Sequence, residues 1–362
     1  MGNSASSWDG FRARYAAADT EIARDVSTTG KYVASKLRDM GFHTHMAVPS
    51  TLALIFRTAR KNDREDSYKL AKLLRLGELP EVHPPSRYSD DLRSLTRSRR
   101  SFGNNITMIK NCIHALLSSY GMAIDAIDIF GKNGIAQIQC ASSMLSGSDR
   151  LILSSMLEKI SVLRNHAASV EDRLSAMVTD NAAVTRIMTV PGLKVYSSSA
   201  IMAEIDDISR FSTKEKLASY AGPVPGQDQS GNRDIKGNIC KHSPFMLRFI
   251  LMNAAHVVIK YSRKMKNRYL SLVRRFGRNR AIVAIARILI EIIYKMLSGG
   301  TEFIDRIDAL TERKMVSMRS RAIRPSKARA IEDLMSDLIF VRNERQKRNS
   351  IEGKINNVDV II

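Results

Sequence analysis

The sequence LSSMLEKISVLRNHAASVEDRLSAM runs from Leu153 to Met177 and carries apolar residues at alternating steps of three and four. This spacing places the apolar side chains on one stripe of a helix, which is the coiled-coil pattern. The stretch from Ile106 to Tyr120 has the same spacing. We therefore expect two long helices, which pair either within one chain or between two copies. The longer stripe consists of Leu153, Met156, Ile160, Leu163, Ala167, Val170, Leu174 and Met177.

The composition around these helices is strongly basic. The chain has 362 residues, with 57 Lys and Arg against 36 Asp and Glu, and a formal net charge of +21. This excess favours a polyanionic partner such as nucleic acid. A membrane partner is not expected, because charged or polar residues interrupt the apolar stretches 249–259 and 281–296 and both are shorter than the roughly 20 residues of a spanning helix. Three separated cysteines and the lack of a signal-peptide core predict a cytoplasmic, nucleoid-associated protein.

The amino-terminal region reads as an α/β domain. Residues 1–26 show neither strand alternation nor a helical stripe. The sequence that follows predicts a helix at 31–40, a strand at 42–48 and a second helix that begins at 51. A third helix is predicted at 66–76, with Asp63 as its cap. Residues 78–100 are rich in turns and arginines, which predicts a basic exit from this domain.

The carboxy-terminal half reads as mostly helical. The turn sequence VPGL at 190–193 precedes a predicted helix at 197–205, in the manner of a helix-hairpin-helix element. A later basic stretch contains no acid and is predicted to bind nucleic acid mainly through phosphates. Its cations are Lys260, Arg263, Lys264, Lys266, Arg268, Arg274, Arg275, Arg278 and Arg280.

Asp63 and Asp66 are three residues apart, so both carboxylates point to the same side of a helix that begins near Asp63. Such a pair can hold a hard divalent cation, and Mg²⁺ suits oxygen ligands. The structural alternative is that Asp63 caps the helix and Asp66 complements its dipole. The spacing leaves both interpretations open.

Ser230 lies in GQDQSGN at 226–232, which predicts a glycine-bounded loop between helical segments. Arg233, Lys236 and Lys241 follow it. A serine hydroxyl among cations can attack a phosphodiester if its proton is removed and the developing charge is stabilised. The alternative is an ordinary turn, since a Ser-Gly pair is common in turns.

Several short blocks resemble, in the same order, those of the IS110 (Piv-like) insertion-sequence transposases. NDREDSYKLAKLLR at 62–75 is similar to the family's paired-Asp signature. The later blocks are SLTR at 94–97, VPG at 190–192, IDDISRF at 205–211, YAGPVP at 220–225, QSG at 229–231, KGNICK at 236–241 and LR at 247–248. Their combination is far more specific than any single block.

This resemblance implies a DNA transposase with several parts. An α/β RuvC-like (RNase H-like) DEDD domain is expected over 1–85, followed by a basic linker and coiled-coil spacer over 86–180. A mostly helical serine transposase domain is expected over 181–300, and a basic, mobile tail over 301–362.

The resemblance also implies site residues and partners. Asp63 and Asp66 match the last two DEDD acids, which would bind Mg²⁺, and Ser230 matches the nucleophile that becomes joined to DNA. The implied partners are DNA, an element-encoded bridge RNA and further copies of the chain. The cations expected to bind nucleic acid are Arg233, Lys236, Lys241, Arg248, Arg274, Arg275, Arg278 and Arg280.

The chain departs from the family at the first two acids. Ser27 stands where the second acid should precede Thr29-Gly30-Lys31-Tyr32, and no strand is visible before Ser27 to carry the first. These departures predict a copy truncated or degenerate at its start, with impaired activity, or else an unusual active variant. The alternative functions are a non-catalytic nucleic-acid-binding remnant that still oligomerises and an assembly scaffold.

Overall fold

The computed structural model describes residues 5–47, 52, 63–122, 129–223, 225–230, 233–239 and 243–323. The chain divides into two compact units, Met1–Ser86 and Arg87–Ile362. No helix formed by the described residues is long and apolar enough to cross a membrane. The apolar stretches 249–259 and 281–296 lie in core helices of the second unit instead.

The first unit contains two parallel strands with helices around them, which confirms the α/β expectation. β1 pairs with β2 from Glu21 opposite His43 to Asp25 opposite Ala47. Parallel strands need a crossover connection, and α2 provides it. The described elements are α1 (Ala5–Arg14), β1 (Glu21–Asp25), α2 (Thr28–Asp39), β2 (His43–Ala47) and α3 (Asp63–Leu76).

The expectation that residues 1–26 contain no strand is wrong, because β1 lies there. Ile22 packs toward Trp8 on one side of the strand, whereas Ala23 packs toward Leu73 on the other. A strand covered on both faces need not alternate between apolar and polar residues. The sequence pattern therefore hid it.

Helix α2 begins earlier than expected because Ser27 caps it. The Ser27 hydroxyl oxygen accepts a hydrogen bond from the backbone N–H of Gly30 at 2.9 Å, a typical N-cap contact. The helix ends at Asp39, one residue before the predicted end, and Gly41 follows its C-cap Met40 with a φ of +90°. The further helix expected from Thr51 lies outside the described residues apart from Leu52.

The second unit contains ten α-helices and one β-hairpin among its described residues. The helices are α4 (Arg87–Ser119), α5 (Lys132–Ala141), α6 (Gly147–Val178), α7 (Ala182–Met188), α8 (Val195–Ile205), α9 (Lys214–Ala221), α10 (Phe245–Tyr261), α11 (Arg263–Phe276), α12 (Arg278–Gly299) and α13 (Asp308–Ile323). The hairpin consists of β3 (Pro225–Ser230) and β4 (Arg233–Ile239). The main core brings together α8, α9, α10 and α12.

The two long helices with heptad spacing, α4 and α6, pair inside one chain. Ile113 packs with Leu153 and Ile160, while Leu92 packs with Leu174 at the other end. The helices are therefore antiparallel, and the predicted stripe is buried between them and neighbouring helices. The intramolecular alternative is the one that the structure shows.

Two segments are folded where the sequence predicted a basic linker and a mobile tail. Residues 87–100 form the first turns of α4, in which Leu92 and Thr96 are buried. Residues 308–323 form α13, which packs on α6 and buries Met318. Both segments carry apolar residues at helical spacing among their many cations, and the charge obscured this pattern. The rest of the predicted tail, from residue 324, lies outside the described residues.

Candidate nucleic-acid interface

The sharp turn from Val190 to Leu193 joins α7 to α8, as the VPGL sequence predicted. Gly192 has a φ of +90°, which favours glycine. A Cβ atom at this position would lie 2.7 Å from the Cβ of Val257 on α10. The turn is thus pressed against α10, while Gly192 and the neighbouring Lys194 remain exposed.

A buried lysine from α13 holds this turn. The Lys314 ammonium donates hydrogen bonds to the backbone carbonyls of Val190 at 2.9 Å and Leu193 at 3.1 Å, and also to that of Met188. Burial, with a further contribution from the positive charge of Lys194, lowers the pKa of Lys314 to about 8. The role of this residue is not predictable from the sequence, because only the tertiary fold places Lys314 beside the turn.

A second buried charge, Glu204, fixes the end of α8 to α4. Its carboxylate lies 3.0 Å from Nη2 of Arg97 and 3.6 Å from Nε of Arg93. The Glu204 side chain is only 5% exposed, so it needs such partners. Arg93 also donates from Nε to the carbonyl of Ala203 at 2.8 Å.

The backbone carbonyl of Glu204 accepts hydrogen bonds from residues further along the chain. Arg210 donates to it from Nη2 at 3.2 Å, and the Tyr220 hydroxyl donates at 3.3 Å. Arg97, Arg210 and Tyr220 each belong to one of the short blocks quoted above. At least part of that sequence pattern therefore maintains the fold around the turn.

Ser230 is the last residue of β3, which corrects the expectation of a loop between helices. It pairs with Arg233, and Lys236 pairs with Gln227 in the same antiparallel ladder. Paired residues in such a ladder have Cα atoms about 4.5–5.5 Å apart. The hairpin therefore brings Ser230 and one predicted cation together through its backbone register. Lys241 lies outside the described residues.

The hairpin leads into α10, where Arg248 and two phenylalanines form an aromatic and basic surface. Nη1 of Arg248 donates to the Ser243 hydroxyl oxygen at 3.2 Å. Phe245 and Phe249 stack with ring centroids 6.2 Å apart, and both are exposed. The guanidinium of Arg100, from α4, lies 3.7 Å from the Phe249 centroid. The sequence shows the arginines at 97–100 but does not predict this surface, because its residues come from two helices that are distant along the chain.

The basic stretch runs from the end of α10 through α11 to the first turn of α12, with Gly277 between α11 and α12. All nine predicted cations between Lys260 and Arg280 are exposed. None of them forms an ion pair with an acid among the described residues. Arg274 and Arg275 lie at the end of α11, and Arg278 and Arg280 lie at the start of α12. This surface can contact the phosphates of a nucleic acid over its whole length.

Asp63 and Asp66 both lie in the first turn of α3. The Asp66 carboxylate is half exposed and lies 3.7 Å from the Lys69 ammonium, an ion pair within one helical turn. Among the described residues, no group of three or more His, Cys, Asp or Glu side chains is placed to hold a metal ion. The described residues therefore do not make up a complete metal site.

Comparison with known protein families gives two matches. Residues 184–270 match the family described as Transposase IS116/IS110/IS902 family. Residues 6–122 match a second family, described as a transposase, of the DEDD type found in IS110 elements. The first match covers the turn, Glu204 and the Ser230 hairpin, and the second covers nearly all of the α/β unit and α4, including the Glu204 partners Arg93 and Arg97.

Curated relatives match over most of their length. The transposase for insertion sequence element IS1111A of Coxiella burnetii is 24% identical over 72% of this chain and 72% of its own. A probable family 20 transposase of Pseudomonas aeruginosa is 23% identical over 77% of this chain and 84% of its own. The transposase for insertion sequence element IS1328 of Yersinia enterocolitica is 20% identical over 78% and 85%, respectively.

Proposed function

We propose that this chain, which belongs to the IS116/IS110/IS902 family of transposases, enzymes that cleave and rejoin DNA, carries out this reaction with Ser230 as the nucleophile. The observation that carries this proposal is the pairing of Ser230 with Arg233 in the β3–β4 hairpin. A guanidinium beside a serine can stabilise the negative charge that develops on an attacked phosphate.

The proposed step exchanges one phosphate ester for another. The Ser230 oxygen forms a bond to phosphorus and loses its proton to a base, while the bond from phosphorus to the leaving nucleoside oxygen breaks. That oxygen takes up a proton and becomes a free hydroxyl. The energy of the phosphodiester is retained in the phosphoserine link, so attack by a hydroxyl from another DNA end reverses the step and rejoins DNA.

DNA is proposed to lie along α11 and the first turn of α12, and Arg248 and the cations of the hairpin are proposed to contact it closer to Ser230. The exposed cations there are suited to phosphates, which position DNA but carry little sequence information. Recognition of a target sequence therefore requires a further component, and a bridge RNA encoded by the element would provide it through base pairing with DNA. Self-association is also proposed. It needs a surface other than the α4–α6 seam, which is buried within one chain.

A divalent metal ion is typical of DEDD domains, and we propose Asp63 and Asp66 of the RuvC-like unit as two of its ligands, with Mg²⁺ as the ion that suits them. When bound, such an ion would stabilise phosphate charge. The position of the second family acid is occupied by Ser27, whose hydroxyl oxygen caps α2. The capping contact gives Ser27 a structural role there.

Strand cleavage of plasmid DNA that carries the ends of the element tests the proposal. The chain should nick this DNA, and Ser230→Ala should abolish nicking while leaving DNA affinity unchanged, because only a hydroxyl is removed. Nicking by the Ser230→Ala variant would overturn the assignment of the nucleophile. Binding without nicking by the unaltered chain would instead support the binding-only alternative, which the capping role of Ser27 favours.

A further inference from the structure

A cavity of about 660 Å³ opens beside the Val190–Leu193 turn in the second unit. Its walls come from five helices, α4, α6, α8, α10 and α13, and from the turn itself, and they include Arg99, Lys194, Tyr196, Phe249 and Arg313. The volume falls within the roughly 300–1,000 Å³ of typical small-ligand sites. The cavity can therefore admit a group the size of one nucleotide.

The charge of the cavity favours an anion. Glu171 is the acid in its wall, and it is already engaged by Arg99 at 2.8 Å and by Arg321 at 3.2 Å. Lys194 and Arg313 are exposed and form no ion pair with any acid among the described residues. These two cations are available to a phosphate of a ligand.

The aromatic wall favours a flat ring. Phe249 is 38% exposed, and the guanidinium of Arg100 covers one of its faces at 3.7 Å from the centroid. Nη1 of Arg100 is buried and has no hydrogen-bond partner among the described residues. Across the cavity wall, Arg99 lies 4.6 Å from the Tyr196 centroid. Alternating aromatic and guanidinium planes are the usual platform for an unstacked nucleic-acid base.

We propose that this cavity binds one unpaired nucleotide of the DNA substrate, with the base against Phe249 and the phosphate against Lys194 and Arg313. A paired base cannot enter, because it must first leave the duplex stack. This proposal goes beyond the cleavage chemistry and does not depend on Ser230.

The test measures affinity of the full chain for two DNA duplexes that differ only by one bulged nucleotide, using fluorescence anisotropy. The bulged duplex should bind more tightly. Phe249→Leu should reduce that preference by about 5- to 150-fold, the usual effect of removing one stacking residue. The affinity of the Phe249→Leu variant for the fully paired duplex should equal that of the unaltered chain. A 2-aminopurine at the bulge should be quenched by the unaltered chain and less by the variant.

The matched control is Phe245→Leu, because Phe245 is more exposed than Phe249 and does not line the cavity. It should keep the preference for the bulge. Lys194→Gln should weaken the preference for the bulged duplex, and because Lys194 is exposed this effect should not come from altered packing. Equal binding of both duplexes, an unchanged preference in Phe249→Leu and Lys194→Gln, or a stronger preference for the same bulge in RNA would each overturn the proposal. Charge reversal at Arg274 and Arg275 should weaken both duplexes alike, which separates this site from general DNA binding.

Discussion

Replacement of Glu204 by Gln should destabilise the second unit by about 2–3 kcal/mol. The substitution keeps the shape of the side chain but removes a charge that is 5% exposed. The contact at 3.0 Å to Arg97 changes from an ion pair to a hydrogen bond between a charged donor and a neutral acceptor, which costs about 1–1.5 kcal/mol. Arg93 loses its buried counter-charge at 3.6 Å, at a similar cost. Arg93 keeps the carbonyl of Ala203 as an acceptor, which limits the loss.

Urea denaturation followed by helical circular dichroism measures this loss. The midpoint should fall without a change in the dependence on urea. Glu291→Gln is the matched control, because it breaks a more exposed pair with Arg287 within one helix, at 3.1 Å, and should cost about 0.3–0.5 kcal/mol. In a double-mutant cycle, Glu204→Gln and Arg97→Gln should couple by at least about 1 kcal/mol. Additive effects, or a loss for Glu204→Gln no larger than for the control, would refute the role assigned to this network.

Three further predictions concern the seam, the turn and the basic surface. Ile160→Asp should lower the free energy of unfolding by at least about 3 kcal/mol, because it buries a charge in the α4–α6 seam. The mass measured by light scattering should not change, because this seam lies within one chain. The control Val162→Asp, at an exposed position of the same helix, should be nearly neutral. The pKa of Lys314 is about 8 in the folded chain and about 10.4 when unfolded, so the unfolded state binds more protons between these values. Urea titrations should therefore show that the free energy of unfolding of the unaltered chain, relative to that of Lys314→Met, increases as pH rises from 8 to 10. A decrease over this range would contradict the prediction. Charge reversal at Arg274 and Arg275 should weaken DNA binding in a filter assay and reduce the logarithmic salt slope by about 2; an unchanged slope would place the DNA elsewhere.

Local patterns predicted several of the helices correctly. The alternating steps of three and four identified α4 and α6, and the glycine at position 41 marked the end of α2. The turn at Val190–Leu193 was also predictable, because Pro has a fixed φ and Gly alone adopts a positive φ without strain, and the pair is therefore typical of turns. These features depend on neighbours within a few residues, which a sequence shows directly.

Features that depend on distant contacts were not predictable in this way. Lys314 reads as one more cation of a basic tail, and only the packing of α13 reveals that it holds a turn more than a hundred residues earlier. β1 is short and covered on both sides, so it lacks alternation. The Ser230 hairpin was interpreted as a loop because its many polar residues and glycines are typical of turns. The resemblance identified the candidate nucleophile, whereas the residue pattern alone left it ambiguous.

The most direct measurement of the central claim is the mapping of a covalent protein–DNA adduct. The substrate is DNA with the ends of the element, in which sulfur replaces the leaving oxygen so that departure needs neither a proton nor a metal ion. Mass spectrometry after denaturation and nuclease digestion should find a nucleotide joined to Ser230 of the unaltered chain and none in Ser230→Ala. An adduct on another residue, an equal adduct in Ser230→Ala, or no adduct in either would contradict the account.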